Sequence, residues 1–281
     1  VPELPEVETV RRGLTKVTLN KLIWGGEVLL ERSLASPVLS ADFLAGITNT
    51  QITNWQRRGK YLLAVLERDR QAAGWLGIHL RMTGQLLWVD TDLPLARHTR
   101  VRLFLGDRQE LRFIDQRTFG KLWYVPPTQQ PHKVITALAS LGAEPLEPDF
   151  TPQYLHRQLQ RTQRAIKTAL LDQRLVAGIG NIYADESLFL SGIHPSLPAS
   201  NLSLDQVNTL HSSIVKVLSA SIGQGGTTFS DFLSVEGVNG NYGGVAWVYG
   251  RAKEPCRVCG TPIGKLKLAG RSTHFCPHCQ P

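Results

Sequence analysis

The stretch CRVCGTPIGKLKLAGRSTHFCPHC (residues 256–279) holds two Cys-x-x-Cys pairs, Cys256/Cys259 and Cys276/Cys279, with sixteen residues between them. Four thiolates at this spacing suit one tetrahedral zinc on two knuckles joined by a hairpin. Two disulfides or two redox-active pairs would use the same cysteines, but a reducing cytosol disfavours both. One structural zinc per chain is expected, with every coordination position filled by sulfur and so no catalytic role for the metal. Lys265, Lys267 and Arg271 lie between the knuckles. Over residues 252–281, Lys253, Arg257, Lys265, Lys267 and Arg271 stand against Glu254, a net +4. A zinc tetrathiolate carries roughly −2, so the element stays cationic. A solvated basic surface accounts for that charge; a finger reaching into a nucleic-acid groove also accounts for its place on a projecting hairpin.

The whole chain carries the same sign. Its 31 Lys and Arg outnumber 23 Asp and Glu, a net +8, which favours an anionic partner, nucleic acid ahead of membrane surface or acidic protein. At 281 residues and 42% hydrophobic content it reads as an ordinary folded protein with room for two domains. No apolar run approaches the roughly 18 residues of a membrane span, and the charged N-terminus lacks a signal-peptide core. A cytoplasmic protein is expected. Met82 is the only methionine, and Val1 reads as a literally translated non-AUG start codon, absent from the mature protein.

Upstream of the finger the period of the apolar residues changes twice. Val7, Val10, Leu14 and Val17 recur at helical spacing, with Arg11, Arg12 and Lys16 between them. KYLLAVL (60–66), GWLGIHL (74–80), QLLWV (85–89), RVRLFL (100–105), ELRFI (110–114) and KLWYV (121–125) are short and rich in β-formers. Residues 20 to about 125 therefore read as short strands in two packed antiparallel sheets. VPPTQQPHK (125–133) reads as a linker. In SLDQVNTLHSSIVKVLSASI (203–222), Ser203 and Gln206 form a capping box, and Val207, Leu210, Ile214, Val217 and Leu218 share one face. QGGTTFSDFLSVEGVNGNYGGVAW (224–247) is glycine-rich and weakly periodic, a kind of long loop that is uncommon unless functional or disordered.

Several local motifs could carry chemistry. LVAGIGNIYADE (175–186) runs a Gly-x-Gly-Asn turn into a helix, leaving backbone N–H groups and the positive helix end to meet an anion. It is not a dinucleotide fingerprint, because Tyr183 holds the third glycine position and no clear strand precedes it. VPELPEVETV (1–10) places Pro5 at a helix start with Glu6 and Glu8 near its positive end, an ordinary beginning when read alone. QRRGKYL (56–62) puts Lys60 at a strand entrance, GIHLRMTG (77–84) offers His79 and Met82, and DQRTFGK (115–121) offers Arg117 and Phe119. Singly, each of these reads as a core or solvated residue.

Together, PELPEVETV, RRGKYL, HLRMTG, RTFGK, LVAGIGNIYADE, GGTTF and the finger with AGRSTHFCPHC resemble one family in order and spacing along nearly the whole chain. That family is the formamidopyrimidine-DNA glycosylases, bacterial base-excision repair enzymes. The resemblance implies a monomeric glycosylase and AP lyase with structural zinc, acting on double-stranded DNA that contains oxidised purines such as 8-oxoguanine. It makes Pro2 the nucleophile once residue 1 is removed. An α-amino group titrates near pH 8, so a useful fraction is neutral at physiological pH. Attack on the deoxyribose anomeric carbon gives an iminium, which acidifies the adjacent sugar proton and leads through β- to δ-elimination.

By the same resemblance Glu3 is the general acid/base, and Glu6 positions the amine and water. Lys60, Asn181 and Arg271 grip phosphates around the lesion, as does His79. Lys167 in AIKTALL lies on the damage-binding side. Met82 and Phe119 wedge into the stack left by the extruded base, while Arg117 pairs with its orphaned partner, preferably cytosine. Gly225 to Val248 resembles a lid over the flipped base, although NGNYGG makes it unusually rich in glycine. Val1 stands in conflict with this chemistry, because while it is attached the Pro2 nitrogen is a tertiary amide.

The architecture implied is α+β. It comprises an N-terminal helix and β-sandwich over 1–125, a linker over 126–135, a helical domain with a helix–two-turn–helix corner over 136–251, and a zinc finger over 252–281, with DNA in a basic cleft. Two other readings remain open. A sister enzyme of the same fold removes oxidised pyrimidines, but typically has a different opening and lacks the Met82/Arg117/Phe119 set. A catalytically inactive DNA-binding module would bind DNA in a salt-sensitive way and form no covalent intermediate.

Overall fold

The computed structural model describes residues 1–227, 234–237 and 239–281. Helix α1 (Leu4–Thr18) starts at Glu3, which forms a capping box with Glu6, and carries Pro5 in its first turn. Val7, Val10 and Leu14 are fully or almost fully buried, as their spacing requires. Nine strands among the described residues follow: β1 (Leu22–Val28), β2 (Leu34–Ser36), β3 (Thr50–Arg58), β4 (Tyr61–Arg68), β5 (Gln71–His79), β6 (Gly84–Asp90), β7 (Thr99–Leu105), β8 (Gln109–Asp115) and β9 (Lys121–Val125). They hydrogen-bond in the order β2-β9-β5-β4-β3-β1-β7-β8-β6.

β1 joins the two layers of a β-sandwich. It meets β3 only at Leu22↔Gln51 and Ile23↔Thr50, then pairs with β7 from Ile23 to Val28 past an irregularity at Ile23/Gly25. Alternate residues of β4 and β5 (Leu62, Ala64, Leu66, Leu76, Ile78) share one apolar core with Val101, Leu103, Leu105, Leu111 and Phe113 of β7 and β8, and with the inner face of α1. Alternation of period two buries one face of each strand, so these side chains could not all face solvent without a register slip.

Two elements depart from the purely antiparallel expectation. β2 lies parallel to β9; it is a three-residue edge strand with no hairpin tying it to its neighbour. Helix α2 (Ser40–Ile47) interrupts the run of strands because Phe43 and Ile47, four residues apart, are both fully buried. The proline-rich stretch after β9 holds a short helix, α3 (Pro131–Val134), and Ile135 beyond it is 2% exposed and packs beside Gly77.

The chain divides into two compact units, Val1–Ala139 with Gly225–Asn241 and Ser140–Gln224 with Tyr242–Pro281. The described residues between Gly225 and Asn241 thus return to the first unit, although they fall inside the stretch 136–251 read as helical. Val235 sits in the sandwich core, and its carbonyl accepts Trp88 N at 3.0 Å. The second unit contains α4 (Pro152–Leu159), α5 (Ile166–Leu170), α6 (Asn181–Leu190) and α7 (Leu204–Gly223). Ser203 and Gln206 close the expected capping box, and all five residues of the expected face of α7 are buried. α5, the Gly-containing turn and α6 form the helix–two-turn–helix corner. An antiparallel hairpin, β10 (Gly264–Leu268) and β11 (Arg271–Phe275), completes the unit. Among the described residues no helix is long and apolar enough to cross a membrane.

Candidate nucleic-acid lesion site

Pro2, Glu3 and Glu6 are buried at the start of α1, whereas Val1 is exposed. Glu6 Oε2 accepts Glu3 N at 2.8 Å, fixing the peptide that joins Pro2 to Glu3. Its Oε1 accepts Thr227 N at 2.8 Å. One buried carboxylate therefore ties the helix start to the returning segment. Of the expected lid, residues 228–233 and 238 lie outside the described residues.

Lys60 occupies the turn between β3 and β4, half-buried, immediately before the Tyr61↔His79 strand pair. The Tyr61 and His79 rings meet edge to face at 4.4 Å between centroids. His79 Nδ1 accepts Arg81 N at 3.0 Å, leaving Nε2 as the donor of a neutral ring. Burial, then the charges of Arg81 and Lys60, push its pKa down to about 3.

Met82, Arg117 and Phe119 stand on two loops that one buried carboxylate joins. Asp115, fully buried at the end of β8, accepts the Thr83 hydroxyl through Oδ1 and Gly120 N through Oδ2 at 2.7 Å. Thr83 Oγ1 in turn accepts Arg117 N at 3.0 Å. The β5–β6 and β8–β9 loops are thereby clamped together. A side chain at Gly120 would lie 2.4 Å from the Phe113 ring, so only glycine permits this approach. Arg117 and Phe119 are exposed, with the guanidinium 5.1 Å from the ring centre, and Met82 is half-buried. Sequence reasoning missed Asp115 and Thr83. DQRTFGK begins with that aspartate, but its partners lie on another loop.

The second unit holds Lys167, Asn181, Arg271 and the cysteines. Arg271 is exposed where β11 leaves a two-residue turn, Ala269–Gly270, both at positive φ (44° and 80°). The adjacent Ser272 carbonyl accepts Asn181 Nδ2 at 3.0 Å and Lys167 Nζ at 2.7 Å. Lys167, expected on the damage-binding side, is 0% exposed, paired with Asp185 Oδ1 at 2.7 Å and bonded to Thr273 Oγ1 at 2.9 Å. Asp185 Oδ2 also accepts His274 N at 2.9 Å. Glu186 accepts the backbone N–H groups of Trp247, Val248 and Tyr249 at 2.8–2.9 Å, anchoring the approach to the finger.

The four cysteine sulfurs lie within 4.8 Å of one another, with Cys256···Cys279 at 3.9 Å and Cys259···Cys276 at 3.5 Å. Sulfurs arranged tetrahedrally around zinc at ~2.3 Å are about 3.8 Å apart, so the donor set fits a tetrathiolate metal. Val258 N and Cys279 N each donate to a knuckle sulfur at 3.4 Å, an outer shell that orients the thiolates. Cys256 and Cys276 also pack with Phe189, Val248 and Ile263.

A β-sandwich with a buried helix start, a helix–two-turn–helix corner and a four-cysteine finger with an exposed arginine define a DNA-repair glycosylase class. Family models match the formamidopyrimidine-DNA glycosylase N-terminal domain over residues 1–122, its H2TH domain over 141–232, and the zinc finger found in FPG and IleRS over 253–281. The chain belongs to the formamidopyrimidine-DNA glycosylase family, whose members combine glycosylase and AP lyase activities. Proteins of that name from Synechococcus and Nostoc punctiforme are 63% and 60% identical over the whole of this chain and 99% and 96% of their own lengths. The Fpg protein of Thermus thermophilus superposes with a TM-score of 0.87 at 37% identity, covering 99% of this chain and 98% of that one. Lactococcus lactis Fpg, solved with DNA containing an abasic site, gives 0.90 at 35% identity with 99% of each chain covered.

Proposed function

We propose that this protein removes oxidised purines, 8-oxoguanine and formamidopyrimidines, from duplex DNA and then cleaves the resulting abasic site. The carrying observation is the helix start, where Glu3 and Glu6 are buried about Pro2 and Glu6 fixes the Pro2–Glu3 peptide. With residue 1 removed, the Pro2 amine attacks the anomeric carbon. The N–C bond forms as the glycosidic bond breaks, and the base departs with a proton. Glu3 handles the proton transfers of ring opening. The iminium then drives β- and δ-elimination, leaving a gap with phosphates at both ends.

Lys60, Arg271, Asn181 and neutral His79, a donor through Nε2, hold the phosphates around the lesion. Extruding the base costs a few kcal/mol of unstacking; Met82 and Phe119 fill the void and Arg117 pairs with the orphaned base. Cys256, Cys259, Cys276 and Cys279 hold one zinc, which supplies structure and takes no part in the reaction. The enzyme acts as a monomer in the cytoplasm.

Lactococcus lactis Fpg has also been solved with DNA containing an oxidised pyrimidine, so the lesion class calls for a direct comparison. Matched duplexes carrying 8-oxoguanine or an oxidised pyrimidine should show faster excision of the purine under single turnover. Faster excision of the pyrimidine would overturn the substrate assignment.

A further inference from the structure

The proposed chemistry needs two parts in register, the nucleophile at the start of α1 and Lys60 on the β3–β4 turn. A chain of charged hydrogen bonds joins their supports. Glu8 on α1 is 8% exposed. Its Oε1 accepts Arg11 Nη2 at 2.8 Å and Arg12 Nε at 2.9 Å, and its Oε2 accepts Arg11 Nε at 3.0 Å and Arg57 Nε at 3.2 Å. Arg57, at the end of β3, then donates from Nη1 to the Gly59 carbonyl at 3.1 Å. That carbonyl belongs to the peptide leading into Lys60, and Gly59 holds a positive φ of 55° that sets the turn. Arg11 adds a second tie from the helix to β3 through the Trp55 carbonyl at 3.4 Å.

A solvated ion pair would not explain this arrangement. The Glu8 and Arg57 side chains are only 11% and 8% exposed, and the planar guanidinium spends one N–H on the helix and another on the turn, a division that a lysine ammonium does not reproduce in that geometry. Burial alone would discourage ionisation of Glu8, but hydrogen bonds from Arg11 and Arg12 and the charges of Arg11 and Arg57 hold its carboxyl below the usual range. The pair therefore stays charged.

We infer that Glu8 and Arg57 are positioning residues that register Lys60 against the N-terminal nucleophile. The inference rests on the phosphate-gripping role proposed for Lys60. It is tested by a double-mutant cycle on the full chain lacking residue 1, using single-turnover excision of 8-oxoguanine and KM measured separately. Lys60→Ala and Arg57→Gln should each lower kcat/KM, with the same division between kcat and KM. The Arg57 change should cost roughly tenfold to a hundredfold, as expected for a misplacement of an ångström. In the Lys60→Ala background, Arg57→Gln should cost less than about threefold, because residues acting through one another are not additive. Arg57→Lys should rescue little.

Full additivity of the two losses would overturn the inference and leave Arg57 a merely structural residue. So would a normal rate for Arg57→Gln beside an impaired Lys60→Ala. A normal rate for Lys60→Ala itself would instead overturn the underlying assignment of Lys60. Glu8→Gln, which keeps an acceptor but loses the charge, should fall between wild type and Arg57→Gln.

Discussion

The helix start and the finger hairpin solve one problem by different means. Each places a group to which we assign a function at the end of an element and pins the backbone behind it with buried polar side chains. At the helix start the pin is the Glu6 carboxylate, whose two oxygens accept the neutral N–H groups of Glu3 and Thr227. Behind Arg271 the pin is an ion pair, with Lys167 on the Ser272 carbonyl and Thr273 hydroxyl and Asp185 on His274 N. An anion held by dipoles can lose charge and keep part of its bonding. A buried pair cannot lose one partner without stranding the other. The hairpin should therefore be the more brittle of the two.

The largest effect should come from the metal. Cys276→Ser, or prolonged chelation, removes a tetrathiolate of a kind that contributes about 10–16 kcal/mol of folding free energy in zinc-finger peptides. Metal analysis should show less than one zinc per chain, and incision of lesion DNA should fall below detection. Incision by protein shown to be metal-free would separate the finger from catalysis.

Next comes the pair behind Arg271. Lys167→Met strands Asp185 and should cost about 3–5 kcal/mol in urea unfolding, whereas Lys167→Met with Asp185→Leu should recover most of it. By contrast Arg271→Ala, at an exposed position, should leave stability within about 0.5 kcal/mol and zinc bound, while excision falls. Equal stability losses for Arg271→Ala and Lys167→Met would erase the distinction between pin and tip.

His79 sharpens the first unit's half of the comparison. Its folded pKa of about 3 lies below the ordinary histidine value of 6.5. The stability it confers is thus whole above pH 6.5 and is lost as pH falls toward 3, because only the unfolded chain takes up the proton. Well below pH 6.5 its contribution to the slope is about 1.4 kcal/mol per pH unit, and His79→Gln should remove that contribution. An identical pH profile for the variant would show the ring to be ionised or exposed. The smallest effect on stability belongs to Phe119→Ala. The ring is 46% exposed, so unfolding should move by less than about 0.5 kcal/mol while excision from duplex DNA slows.

These contrasts also mark what the sequence could tell. α1 and α7 were legible because their signals are local: Pro5 and the spacing of Val7, Val10, Leu14 and Val17 at one, Ser203 and Gln206 at the other. The six quoted strands were legible from β-rich runs and turns, and the metal site from two Cys-x-x-Cys pairs. α2 and the parallel β2 were not, since Phe43 and Ile47 form too short a pattern and an edge strand of three residues has no period. The surroundings of Lys167 were hidden for a related reason. AIKTALL looks like an ordinary helix with one cation, and its partners are Asp185, eighteen residues on, and Thr273, over a hundred on. The partners of Asp115 and Glu8 were likewise hidden, because nothing nearby in sequence announces what a buried carboxylate will hold.

The central claim is that the Pro2 amine is the nucleophile, and borohydride trapping tests it most directly. Protein verified by intact mass to lack residue 1 is mixed with duplex DNA containing 8-oxoguanine opposite cytosine, reduced and weighed again. The account predicts a covalent protein–DNA adduct that maps to Pro2 and disappears in the same protein once its N-terminal amine is acetylated. No adduct from that protein, with DNA binding intact, would contradict the enzyme mechanism and leave a zinc-stabilised DNA-binding module in its place.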